Sequence, residues 1–143
     1  MGVVSRADAV WEGDLPSGSG RVRPASGAFP ELPVSWASRT ARTEAKTSPE
    51  ELIAAAHSAC FSMAFSNGLS KAGHTVERVS TTAEVEFVPG TGITRSTLSV
   101  RGRVPGISAE EFKALAEDAK ENCPVSKALH GNLEMTISAE LEG

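Results

Sequence analysis

The stretch that decides the fold is Ser48-Pro49-Glu50-Glu51-Leu52-Ile53-Ala54-Ala55-Ala56-His57-Ser58-Ala59-Cys60-Phe61-Ser62-Met63-Ala64-Phe65, followed by Lys71 and Gly73. Ser48 stands at an N-cap, Pro49 at the first helical position and Glu51 at the third, which predicts a capping box at a helix start. Leu52, Ile53, Ala56, Cys60, Met63 and Ala64 follow at helical spacing, and Gly73 marks the stop. The helix is therefore about 23 residues long. Its centre is apolar or small around most of its circumference, so it needs burial on most sides. A chain of 143 residues has few elements with which to surround it. Pairing of two such helices in a homodimer meets the need, because Ala55, Ala56 and Ala59 allow close approach.

Outward from this helix the patterns change. Residues 1–45 are rich in Gly and Pro, and segments such as Ala7–Trp11, Gly20–Arg23 and Val34–Ser38 read as short strands and hairpins. Over residues 75–104 the period is two: Val79, Thr81, Ala83, Val85 and Phe87 share one face, Pro89-Gly90-Thr91-Gly92 turns the chain, and Leu98 and Val100 alternate with Ser99 and Arg101. That predicts an antiparallel hairpin. Residues 108–130 open with a second box, Ser108-Ala109-Glu110-Glu111, and carry a helix to Asn122 and a fresh turn from Pro124 to Leu129. Residues 132–141 alternate as a last strand. Without a βαβ repeat or glycine-rich phosphate loop, the expectation is a single α+β domain over residues 1–143, with antiparallel sheets around a long central helix.

Composition narrows the function. The chain is 40% hydrophobic and 22% charged with a net charge of -4 and no basic run, which argues against nucleic acid or an anionic membrane as partner. Arg6, Asp8, Glu12 and Asp14 interrupt any signal-peptide core, and the apolar stretch from Leu52 to Phe65 falls short of a spanning helix, so the expected location is the cytoplasm. The two cysteines, Cys60 and Cys123, suit neither a disulfide scaffold nor a paired-CxxC zinc site, and no spacing among His57, His74, His130 and the cysteines suggests a metal.

Cys60 lies mid-helix, away from the N-terminal dipole, so a reactive thiolate there needs a separate cation; Arg39 and Arg42 are the candidates. The alternative is a buried core cysteine with both arginines in solvent. Cys123 precedes Pro124 as a possible N-cap, placed either as a resolving thiol or as a small residue in a tight turn. His57, three residues before Cys60, permits a Cys–His dyad, yet no third group or oxyanion hole accompanies it, and it reads as a helix-interface residue. Phe29, Phe61, Met63 and Phe65 are either the lining of an apolar pocket or ordinary core.

Thr47 to Ala64 resembles the first-cysteine helix of the OsmC/Ohr family, and Asn122-Cys123-Pro124-Val125-Ser126-Lys127-Ala128-Leu129 resembles its second-cysteine motif. Ala9-Val10-Trp11-Glu12-Gly13 and Val104-Pro105-Gly106-Ile107 match in order, and the Val-Pro-Gly-Ile and Cys-Pro-Val-Ser variants resemble the OsmC branch more than the Ohr branch. The resemblance implies an intertwined α+β homodimer with sites at the subunit interface. It also implies a thiol-dependent peroxidase acting on organic hydroperoxides, with hydrogen peroxide as the further candidate substrate, in oxidative and osmotic stress defence. By that resemblance Cys60 is the peroxidatic thiolate and Cys123 the resolving thiol that forms a disulfide with it. No bound cofactor is implied; an external dithiol, with dihydrolipoyl groups as one class, reduces the disulfide. Glu50 matches the family glutamate, and Arg39, chosen over Arg42, the family arginine, a pair that lowers the thiolate pKa and supports the departing oxygen. Glu50 and Cys60 are ten helical residues apart, about 15 Å of rise, so antiparallel pairing across a dimer would bring Glu50 of one copy towards Cys60 of the other. Two other classes remain open: a catalytically silent dimeric binding protein of the same fold, and a Cys60/His57 acyl-transfer enzyme.

Overall fold

A computed structural model of the chain describes residues 2–41 and 45–142. The fold is α+β, and its contacts divide into two compact units, Met1–Leu52 and Ile53–Gly143.

The first unit holds a three-stranded antiparallel meander in the order β1 (Ala7–Glu12), β2 (Ser19–Pro24), β3 (Leu32–Val34). Gly20 is buried in β2, and a side chain there would meet the Trp11 ring at 2.6 Å, so glycine is what lets the indole lie across the sheet. The segment Val34–Ser38, read as a strand, is a correction. Only Val34 belongs to β3, and Trp36–Thr40 form a short helix, α1. The cause is local: Ser35 Oγ accepts from Ser38 N–H and Ser38 Oγ from Ser35 N–H, a reciprocal capping box that opens a turn of helix. The Ser38 hydroxyl is also 2.9 Å from the Thr47 carbonyl, and Thr47 N–H donates to Pro33 O, tying the chain before the long helix back to β3.

That helix, α2, is Pro49–Lys71, 23 residues as its spacing predicts. Ser48 Oγ accepts from Glu51 N–H, but the Glu51 carboxylate takes the Thr47 hydroxyl, so the expected reciprocal box is realised only in its first half. In the second unit α2 buries His57, Phe61, Phe65 and Leu69, a stripe at i, i+4 spacing. Phe61, Phe65 and Phe112 pack ring to ring with centroids 5.5 and 5.0 Å apart. Phe61 and Phe65 are therefore core, not pocket lining; Met63 is 70% exposed. The helix has the length and apolarity to cross a membrane, more than the sequence reading allowed, but this buried stripe makes it a core helix.

Beneath α2 lie β4 (Arg78–Val88), β5 (Gly92–Arg103) and β6 (Glu134–Leu141), in that order across the sheet. The β4–β5 hairpin is antiparallel, as its alternation predicts, with a bulge at Glu86/Phe87. β6 runs parallel to β5, against the expectation of wholly antiparallel sheets. The reason is the connection: α3 (Ala109–Asn122) and α4 (Pro124–Leu129) return the chain to the end from which β5 started. Gly102 in β5 carries the Phe112 ring of α3, where a Cβ would stand 2.6 Å from the ring. This close seat sets the height of α3 over the sheet and with it the position of Cys123 at its end.

Candidate functional site

Each unit contributes one cluster of chemically active side chains. In the first, the last turn of α1 meets the first turn of α2. Arg39 Nη2 is 2.9 Å from Glu50 Oε2, and Nε lies 3.0 and 3.2 Å from the two carboxylate oxygens. Glu50 is only 5% exposed, so this planar guanidinium is the partner that satisfies its buried carboxylate oxygens. The sequence paired these two residues, and the structure brings them together. Arg42, the alternative arginine, lies outside the described residues.

The second cluster is sulfur and hydroxyl chemistry. Cys123 caps two helices at once, closing α3 with its N–H on Ala119 O and opening α4 with its sulfur 3.3 Å from Ser126 N. Pro124, at the first position of α4, has no N–H to offer. Of the next two donors of that turn, Ser126 N–H goes to Cys123 and Val125 N–H acts on Cys60. Cys60 in turn neighbours Cys123, close enough for the two thiols to influence each other's charge. Both thiols are free, Cys123 fully buried and Cys60 half-buried. Burial pushes the Cys60 thiol above its ordinary value; the Val125 N–H opposes this, and the neighbouring Cys123 adds to it.

His57 is not the helix-interface residue expected from its spacing but a core residue with no exposed surface. Its Nδ1 is 2.7 Å from Ser96 Oγ of β5 and its Nε2 2.8 Å from Ser126 Oγ. Both ring nitrogens are thus committed to hydroxyls, which leaves neither for a dyad with Cys60, and burial holds the imidazole below its usual pKa. Ser126 Oγ is also 3.1 Å from Cys123 Sγ. Sequence reading missed Ser96 and Ser126. The one available signal was Ser126 three residues after a capping cysteine; Ser96 lies 39 residues from His57 and announces nothing.

Two cysteines face each other over a helix turn in an α+β chain, and a buried glutamate holds an arginine. These features define a cysteine-based redox class, and comparison with known proteins places the chain within it. Residues 42–138 match the family model described as OsmC-like protein. The chain is 40% identical to peroxiredoxin OsmC of Escherichia coli, with 99% of each chain covered, and 35% identical to the organic hydroperoxide resistance protein OhrA of Bacillus subtilis over 69% of this chain and 71% of that one. Among solved structures, an organic hydroperoxide resistance protein OsmC from Legionella pneumophila superimposes with a TM-score of 0.71 at 26% identity, covering 97% of this chain and 99% of that one. The chain belongs to the OsmC/Ohr family of thiol-dependent peroxidases.

Proposed function

We propose that this protein reduces organic hydroperoxides to alcohols, with Cys60 as peroxidatic and Cys123 as resolving thiol. The single observation that carries the assignment is that the two cysteines neighbour each other at the first turn of α4, whose N–H groups face sulfur. The Cys60 thiolate attacks one peroxide oxygen and the O–O bond breaks. The alkoxide leaves to become the alcohol, and Cys60 becomes a sulfenic acid. Cys123 displaces the hydroxyl as water and the two sulfurs join; an external dithiol, of which dihydrolipoyl groups are one class, then restores both thiols. No bound cofactor enters this cycle. The relatives named as a peroxiredoxin and as organic hydroperoxide resistance proteins support the substrate class.

Arg39 and Glu50 supply the charge in this reading, and a second copy of the chain completes the site. Within one chain the balance of influences on Cys60 favours the thiol, so a thiolate at neutral pH calls for a cation. Ala55, Ala56, Ala59 and Met63 lie exposed along α2, and Val10 and Trp11 along β1. Such apolar surface supports a homodimer in which Arg39, fixed by Glu50, serves Cys60 of the other copy. The cycle belongs to oxidative and osmotic stress defence in the cytoplasm.

The decisive experiment treats reduced protein with one equivalent of an alkyl hydroperoxide and maps the cysteines by mass, with Cys60→Ser and Cys123→Ser as controls. A Cys60–Cys123 disulfide in the native chain and trapped sulfenic acid at Cys60 in Cys123→Ser are expected. Unmodified cysteines would make this a silent binding protein on the same fold.

A further inference from the structure

The cycle above leaves one buried group unused. Ser96, His57, Ser126 and Cys123 form an unbroken hydrogen-bonded chain from β5 through α2 to α4, with links of 2.7, 2.8 and 3.1 Å. All four residues are fully buried, so water does not compete for these bonds. We propose that His57 is a positioning residue for the resolving step, aiming the Ser126 hydroxyl at the Cys123 sulfur so that Cys123 attacks as a thiolate held by two donors. The proposal rests on the reading of Cys60 and Cys123 as peroxidatic and resolving thiols.

Proton counting carries the argument. A neutral imidazole has one N–H, and each serine has one O–H. If Nε2 carries the proton, it donates to Ser126 Oγ, and the only proton of Ser126 is then directed at Cys123 Sγ. The Ser96 hydroxyl donates to Nδ1. If Nδ1 carries the proton, every bond reverses: Cys123 S–H donates to Ser126, and Ser126 donates to Nε2. The ionisation state of Cys123 and the tautomer of His57 are therefore coupled. Burial disfavours the imidazolium, which keeps the ring in this one-proton regime. In the thiolate arrangement the sulfur accepts from both Ser126 O–H and Ser126 N–H. Ser126 touches the reacting atom, whereas His57 acts through it.

The step so assisted is balanced. The Cys123 sulfur attacks the Cys60 sulfur of the sulfenic acid, the S–S bond forms and the S–O bond breaks with its electron pair on oxygen. The proton released by Cys123 ends on that oxygen as water. Cys123 is oxidised and the Cys60 sulfenic acid is reduced. The titratable groups facing Cys123 in this network are Cys60 directly and His57 through Ser126, both on α2.

The test times the two steps separately in the full chain. Reduced protein is mixed with one equivalent of cumene hydroperoxide, quenched at intervals between pH 6 and 9, and mass-mapped for Cys60 sulfenic acid and for the disulfide. Ser126→Ala and His57→Phe should slow disulfide formation at pH 7 by about 10- to 100-fold, the kinetic equivalent of one hydrogen bond to a charged group. Sulfenic acid formation should stay within about twofold. The deficit should shrink towards pH 9, where solvent hydroxide takes over deprotonation, and Ser126→Thr, which keeps the hydroxyl, should restore the native rate. A second step unchanged in both variants, or slowed equally at every pH, would overturn the proposal. Should the variants not fold, nitrogen NMR of His57 in Cys60→Ser reports the tautomer directly: the ring proton should move from Nδ1 to Nε2 as Cys123 ionises, and a fixed tautomer would sink the idea. Absence of both sulfenic acid and disulfide in the native chain would instead bring down the peroxidase reading itself.

Discussion

Arg39–Glu50 and Ser96–His57–Ser126–Cys123 are two solutions to holding a reactive group in place. The first is ionic, with a guanidinium 31% exposed set against a buried carboxylate. The second is neutral, fully buried, and built from hydroxyls around an imidazole. An ion pair projects a field over several ångströms and tolerates small shifts, whereas a hydrogen-bonded chain acts only through contact and fixes proton direction. The difference teaches which task each suits in the proposed cycle: charge for stabilising a thiolate and a departing oxygen, directed donors for a thiol that must fire once at a neighbour.

That contrast can be broken. Arg39→Ala should slow Cys60 alkylation at pH 7 by about 100-fold, the scale of losing a positioned electrostatic donor. Stability should fall as well, by about 1–3 kcal/mol, since the buried Glu50 carboxylate loses its guanidinium partner. Equal alkylation in native chain and variant would remove the ionic half of the comparison. His57→Phe should differ in reactivity, with Cys60 alkylation retained while about 2–3 kcal/mol of stability is lost, because the Ser96 and Ser126 hydroxyls lose their buried partner. Alkylation rates and urea unfolding of both variants side by side test whether reactivity follows only the ionic pair. Gly102→Ala should cost about 1–3 kcal/mol, since its Cβ would enter the Phe112 ring, and it should slow disulfide formation by displacing α3 and Cys123. A variant as stable as the native chain would show that α3 can ride higher on the sheet without penalty.

The smallest effect is in pH. Burial places the folded-state pKa of His57 below the unfolded value of about 6.5, so below that pH the unfolded chain binds a proton that the folded chain refuses. Stability should therefore fall as pH drops from about 7 towards 5.5, with a slope from this group of at most ~1.4 kcal/mol per pH unit. His57→Gln should flatten the denaturation midpoints across that range. An unaltered slope would mean that His57 takes up its proton inside the fold.

Much of the fold was legible because its signals are local. Ser48-Pro49 and Gly73 bracket α2, and the period of two marks β4 and β5. The direction of β6 was not, since alternation reports which face is buried and says nothing of which way a strand runs beside its neighbour. α1 escaped because Ser35 and Ser38 cap each other without the acidic residue that advertises a box. At the site, Cys60, Cys123, Arg39 and Glu50 stood out by residue type and motif. The partners of His57 did not, because they lie 39 and 69 residues away and serine is unremarkable in any pattern.

Cys123 sits at the junction of two helices, already beside Cys60 in the reduced chain. A bond between them would close a loop of about 60 residues, and by chain entropy such a cross-link withdraws about 4 kcal/mol of freedom from the unfolded ensemble. Oxidation would thus harden the fold. A molecule that has spent its reducing equivalent would outlast a fresh one under heat or protease until a dithiol arrives, and its survival would record its redox history.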